Sequence, residues 1–320
     1  LKIRLHAFVL CLFAAVPDGR ATPPDGDFDP GTLDYTIRFA EVAIHWSEFA
    51  FFVMPGQVSD LEIQLESGAA ANVVASAGEL LRTAPLRWTW KAPDRPGRQT
   101  LTVRPETAEP ATLHVFVQVP AEQVSDGYLN GYRIGSYPRV PLRNNPIYLP
   151  PAGFVEVHAD MLDVPVSPHF TLGQFLCKQQ PDHWPKYLVL REPLIAKLET
   201  ILAEVNRRGI RTDSFVIMSG YRTPWYNRSI GNVPYSRHVW GGAADIYVDN
   251  SGDGRMDDLN QDGRIGTRDA RVLLDIVNDL YEAGHFARFI GGLGLYGPRP
   301  HRGPFVHVDA RGEAARWETP

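Results

Sequence analysis

Tyr235-Ser236-Arg237-His238-Val239-Trp240-Gly241-Gly242-Ala243-Ala244-Asp245 and, further along, Pro304-Phe305-Val306-His307-Val308-Asp309 are the two most informative runs in the chain. His238 offers a neutral imidazole and Asp245 a carboxylate. Gly241 and Gly242 permit a close turn between them, and the small Ala243 and Ala244 let the following strand pack tightly. Side chains alternate across a strand, so His307 and Asp309 share a face. Two histidines and a carboxylate with an open fourth position form the donor set of a catalytic zinc site. A structural zinc is usually closed by four protein ligands, mostly thiolates. The chain has only 2 cysteines, Cys11 and Cys177, too few for that site or for a disulfide framework.

Around these runs, residues 167–320 alternate helical and strand patterns. Leu194, Leu198, Ile201, Leu202 and Val205 lie on one helical face that Gly209 ends. Phe215–Met218 and Ala243–Val248 read as short buried strands, Arg271–Ala283 as a helix, and Gly291–Gly297 and Pro304–Ala310 as two closing strands. The expectation is an α+β domain. Residues 32–120 instead alternate apolar and polar positions in short runs separated by Pro55-Gly56, Ser67-Gly68 and Pro96-Gly97. Leu113, Val115, Val117 and Val119 fall on one face of the last of these strands. The stretch from Trp88 through Pro96-Gly97 to Val103 resembles the late strands of an immunoglobulin-like β-sandwich, an architecture that carries no function by itself. Residues 121–166, rich in Pro, Gly and Tyr, read as an ordered connection packed on its neighbours.

The 320 residues suffice for about two domains. A charged content of 22% and a hydrophobic content of 44% exclude a mostly disordered chain, and a formal charge of −5 gives no reason to expect nucleic acid as a partner. The apolar run Leu5–Val16 follows Lys2 and Arg4 and precedes Pro17, Asp18, Ala21 and Thr22. Residues 1–22 therefore read as a secretory signal, too short for a spanning helix of about 20 residues. The expectation is an exported protein, periplasmic or associated with the cell envelope, without an integral membrane span once the signal is removed. Nothing in the sequence sets an oligomeric state.

Ser236-x-His238-x-x-Gly241-x-Ala243-x-Asp245, followed by Phe305-Val306-His307-Val308-Asp309, resembles the zinc D-alanyl-D-alanine carboxypeptidase family, peptidase family M15, and within it the murein endopeptidase branch. Ser219-Gly220-Tyr221-Arg222-Thr223-Pro224 with Asn227, the stretch Gly291–Tyr296 and the ending Ala315-Arg316-Trp317 are also similar to that family. The resemblance implies a hedgehog/DD-peptidase-like fold with zinc on His238, Asp245 and His307. It also implies that Arg222 holds a substrate carboxylate and that Ser236 binds substrate or orients His238. Several branches carry an acid three residues before the last zinc histidine, where this chain has Pro304. Asp309 and His301 are then the candidates for the catalytic base, and Asp309 can alternatively orient a ligand from behind.

Between residues 249 and 269 lies an acidic insertion. Asp258-x-Asn260-x-Asp262-Gly263-x-Ile265, with Asp269 as the last ligand, has calcium-loop spacing and resembles the dockerin version. An overlapping, weaker match starts at Asp249. The expected ions are catalytic zinc and structural calcium. The expected function is hydrolysis of peptide bonds in peptidoglycan stem peptides or cross-links, by a DD-carboxypeptidase or murein endopeptidase. The alternatives are a non-catalytic zinc-containing module that binds cell wall or protein, as in hedgehog-type domains, and a calcium-dependent adhesin acting through its sandwich.

Overall fold

A computed structural model describes residues 27–65 and 69–319 of the chain. The signal-like segment 1–22, Cys11 and the Ser67-Gly68 turn lie outside the described residues.

The first nine strands are β1 (Thr32–Phe39), β2 (Val42–Trp46), β3 (Glu48–Val53), β4 (Val58–Gln64), β5 (Ala71–Ala75), β6 (Glu79–Ala84), β7 (Arg87–Lys91), β8 (Gly97–Pro105) and β9 (Ala111–Val117). They form two sheets, ordered β2-β1-β4-β7-β6 and β3-β9-β8-β5. Alternation sets the buried face: Tyr35, Ile37 and Phe39 in β1, Leu61 and Ile63 in β4, Trp88 and Trp90 in β7. The sheets meet through Phe39, whose ring lies edge-on to Phe51 of β3 at 4.9 Å. β3 runs parallel to β9 and is an edge strand. Pro165–Ser167 packs against it, and the Phe52 amide donates to Glu192 Oε1 (3.2 Å), so the edge is covered rather than left as a template for another chain. β9 is accordingly buried on both faces, Leu113 through Val117.

Val119 departs from the sequence reading. β9 ends at Val117, and Val119–Pro120 pairs instead with Gly153–Phe154. Pro120 has no amide hydrogen to extend the β9 ladder. Gly153–Val157 in turn pairs with Lys186–Leu188, so the segment read as a connection supplies the central strand of a three-stranded sheet.

A five-stranded sheet forms the centre of the C-terminal region, in the order Val216–Ser219, Ala243–Tyr247, Phe305–Asp309, Gly292–Tyr296, Ala315–Thr319. Helices are few: α1 (Glu192–Arg207), α2 (Pro224–Ser229) and α3 (Thr267–Glu282). α1 buries Leu194, Ile195, Leu198, Ile201, Leu202 and Val205, each contributing roughly 1.5–3 kcal/mol, and ends where Gly209 takes φ +87°. α3 begins four residues before the apolar periodicity does. Its first turn is held by Asp269, whose carboxylate accepts from the amide of Gly266 (2.7 Å). The strand Ala315–Thr319 was not legible, because it is an edge strand with no fully buried side chain. Among the described residues no helix is long and apolar enough to cross a membrane.

Candidate metal centre

Strand register assembles the site. Ser219 pairs with Asp245, Asp245 with His307, His307 with Gly294 and Gly294 with Trp317, one continuous row across the five-stranded sheet. His238 enters from the 3₁₀ turn Arg237–Trp240, which Gly241 closes at φ +65°. A Cβ at Gly241 would collide with the Val189 carbonyl, so this turn needs glycine for space as well as for conformation. Gly294 serves differently: a Cβ there would meet the Trp317 indole, which lies over His307 with ring centroids 5.1 Å apart.

Three donor atoms converge. His238 Nε2 lies 3.2 Å from Asp245 Oδ1, His307 Nδ1 lies 2.8 Å from the same oxygen, and the two ring nitrogens are 3.3 Å apart. The other nitrogen of each ring is already engaged. His238 Nδ1 faces the Gly220 carbonyl at 2.7 Å, and His307 Nε2 faces Asp309 Oδ2 at 3.1 Å. The Gly220 carbonyl only accepts, so neutral His238 carries its hydrogen on Nδ1. His307 has a carboxylate oxygen at each nitrogen, and with its hydrogen on Nε2, toward Asp309, both inward nitrogens present lone pairs. Two lone pairs and a carboxylate oxygen facing one point call for a cation there. Backbone or carboxylate support of the far nitrogen is the usual arrangement behind metal-bound histidine. Among the described residues these three form the one such gathered group, and all three are buried.

The surrounding charges fix protonation. Burial pushes the Asp245 carboxyl up, but His238 and His307 outweigh it and hold it well below the usual carboxylate range. Burial lowers His238. His307 feels the same burial, yet its bonds to Asp245 and Asp309 raise it. Arg222 lines the cleft and donates from Nη2 to Asp245 Oδ2 (2.7 Å) and from Nε to Ser219 Oγ (2.8 Å).

Asp309 is fully buried behind His307. It accepts from the Gly292 amide (2.8 Å) and from Arg311 Nε (3.0 Å). Burial raises its carboxyl, but His307 and Arg311 together hold it far below the ordinary range, so it stays ionised. Of the two roles open in the sequence, this position matches orienting the ligand from the far side of its ring. Lys197, also fully buried, donates to the Asp309 carbonyl (2.6 Å), and burial pushes its ammonium down to about 7.

Ser236 lines the cleft over the triad, and His301 sits exposed on its rim, outside the cluster. Among the described residues the carboxylates of Asp258, Asp262 and Asp269 do not form a gathered group like the triad. Asp258 accepts from the amides of Asp262 and Gly263, Asn260 from Asp262, and Asp269 from Asn260 and Gly266.

The cleft has a volume of about 1020 Å³, and Leu142 and Tyr148 of the 121–166 segment form part of its wall. Tyr148 packs edge-on to Trp240 at 5.3 Å, and the Trp240 indole donates to the Leu149 carbonyl (2.9 Å). Sequence reasoning missed Arg302, Arg311 and Tyr148 as cleft residues. Arg311 carries a usable signal, standing two residues beyond Asp309. Arg302 and Tyr148 lie in loops without periodicity.

A search of curated proteins finds no match to this chain. Residues 168–265, which include Arg222, His238 and Asp245, match the family model of Peptidase M15.

Proposed function

We propose that this chain is an exported zinc peptidase that hydrolyses peptide bonds in peptidoglycan stem peptides or cross-links, in the periplasm or cell envelope. The observation that carries the reading is the convergence of His238 Nε2, His307 Nδ1 and Asp245 Oδ1 with every outward nitrogen already bonded. The match to Peptidase M15 supports the peptidase reading and, with the family resemblance, the peptidoglycan substrate class, and the basic, apolar start of the sequence supports export. Borderline nitrogen and oxygen donors in this number suit zinc. When bound, zinc supplies Lewis-acid activation of a peptide carbonyl.

The chain's own residues do the rest. Gly220 and Asp309 fix the tautomers of the two histidines. Arg222 aims Asp245 through its hydrogen bond, and Ser236 offers a hydroxyl to substrate. His301, on the rim, is the remaining candidate for the base. Turnover of purified muropeptides tests the proposal. Cleavage should vanish with a chelator and return with zinc. Stoichiometric zinc with no cleavage of any muropeptide would favour a non-catalytic binding module, a reading supported by Pro304 standing where several branches of the resembled family carry an acid, and by Asp245 being the only carboxylate lining the cleft among the described residues.

The N-terminal sheets we read as an immunoglobulin-like sandwich that binds or spaces. Strands β4-β7-β6 in one sheet and β9-β8-β5 in the other follow the B-E-D and G-F-C orders. We assign Asp258, Asn260, Asp262 and Asp269 to structural calcium, supported by the oxygen spacing and the glycine at the sixth position. Calcium added after chelation should raise the melting temperature, because a ligand bound only by the folded state stabilises it. An unchanged melting temperature would leave the segment an acidic turn.

A further inference from the structure

The protein as a whole is acidic, with a formal charge of −5, yet its cleft is basic. Lys178, Arg222, Arg237, Arg302 and Arg311 line it, against the single acid Asp245. Arg222 and Arg311 are spoken for by Asp245 and Asp309. Among the described residues Lys178, Arg237 and Arg302 have no carboxylate within ion-pair distance. A cleft lined by one sign of charge concentrates ligands of the other.

Arg302 is the best organised of the three. Its guanidinium lies over Phe305 at 4.7 Å and over Tyr296 at 5.7 Å, and those two rings stack at 4.5 Å with 7° between their planes. Nη1 donates to the carbonyls of Gly297 (2.8 Å) and Gly303 (3.3 Å). Among the described residues the Nε–Nη2 edge has no protein partner, and this is the edge that grips a carboxylate through two parallel hydrogen bonds. Burial lowers the Arg302 pKa and nearby Arg299 lowers it further, outweighing Asp245 and Tyr296, which raise it.

Its placement sets the reach. Phe305 and His307 are two residues apart on one strand and share a face. Two strand residues span about 6.6–6.8 Å, as do two residues of an extended peptide lying in the cleft. We propose that Arg302, on its Tyr296–Phe305 platform, is a subsite for a second substrate carboxylate, and that the site takes acidic peptides whose carboxylate lies one or two residues from the scissile bond. This rests on the peptidase reading, which supplies the position of that bond.

The test compares acetyl-Glu-D-Ala-D-Ala with acetyl-Gln-D-Ala-D-Ala on the zinc-loaded full chain, by calorimetric Kd and by turnover. A charge-assisted hydrogen-bonded contact should make the glutamate peptide bind roughly 10–100-fold tighter, with the preference shrinking at high salt. Arg302→Gln should bring the two affinities to within about threefold, and Arg302→Lys, which keeps the charge but not the fork, should retain part of the difference. Equal affinities in the wild type, or a preference that survives Arg302→Gln, would overturn the subsite. A glutamate preference in binding without cleavage of any peptide keeps the subsite and removes the peptidase reading. Equal cleavage of both peptides does the reverse.

Discussion

His169 and His238 are both histidines held by backbone and carboxylate oxygens, and they stand for two different kinds of site. His169 bonds Glu199 Oε2 through Nδ1 (2.8 Å) and the Asp29 carbonyl through Nε2 (2.9 Å), so each nitrogen has an oxygen acceptor of its own. It is complete as a protonated ring and joins the start of the sandwich to α1. His238 has one nitrogen satisfied by Gly220, while the other meets the lone pair of His307 and a shared carboxylate oxygen. The difference lies in what the second nitrogen faces. Burial alone does not separate a structural histidine from a ligand, since both rings are largely removed from water.

The comparison breaks most visibly at Asp309. Asp309→Asn keeps the shape but weakens the support behind His307, so zinc affinity should fall roughly 10–100-fold, with turnover recovering at high zinc. If zinc affinity holds while turnover falls by about 10²–10⁴-fold, Asp309 acts as the base and the orienting role fails. Metal titration with a competing chelator, run beside the kinetics, decides between them.

Gly294→Val probes the same ring from its other side. The new side chain would meet the Trp317 indole and push it off His307, at a cost of about 1–3 kcal/mol typical of overpacking. Urea unfolding reads the loss. An unchanged midpoint would mean that Trp317 moves aside freely and does not brace His307.

In the acidic insertion, Asp262→Ala should abolish any calcium-dependent rise in melting temperature while leaving the zinc titration as in the wild type. A matching loss of zinc affinity would show that the two ion sites are coupled, and would erase the contrast between a local loop and a site built by strand register.

The smallest effect is expected at His169. Burial lowers its pKa, but the bond and charge of Glu199, with Asp29, raise it above the ordinary value. Its contribution to stability is therefore fully present below about pH 6.5 and is lost as pH rises through the raised folded-state value. His169→Gln should flatten that part of the pH–stability curve, read as urea midpoints across the range. An undiminished slope would place the titrating group elsewhere.

What could be read from the sequence follows from where each piece of information sits. The ligands were legible because each lies in a run whose neighbours are constrained: the glycine turn before Asp245, the alternation around His307. The burial of α1 was legible from its period. That His238, Asp245 and His307 come together was expected from the two runs, whereas the register that achieves it was not, since it depends on pairing Asp245 with His307 across residues far apart in the chain. Arg222 reads as a substrate clamp in sequence, and the fold adds a bond from it to Asp245. Arg302, one of three cleft cations without an ion pair among the described residues, sits in a Pro- and Gly-flanked loop with no pattern to reveal it. Ala315–Thr319 escaped because it is a short edge strand whose inner face offers only Ala315, Trp317 and Thr319, none fully buried.

The three-stranded sheet described above sets a lower limit on what can be moved between proteins as a working part. A fragment beginning where the family match begins, at residue 168, would lose Gly153–Val157 and strand Lys186–Leu188 without its neighbour. It would also remove the carbonyl that holds the Trp240 indole and the tyrosine packed against that ring. The transferable unit is thus longer than the segment that carries the kinship, and a domain swap, a deletion series or an expression boundary placed at 168 cuts through a hydrogen-bonded ladder. A cut ahead of Val119, where β9 has already ended, leaves every strand of that ladder on one side.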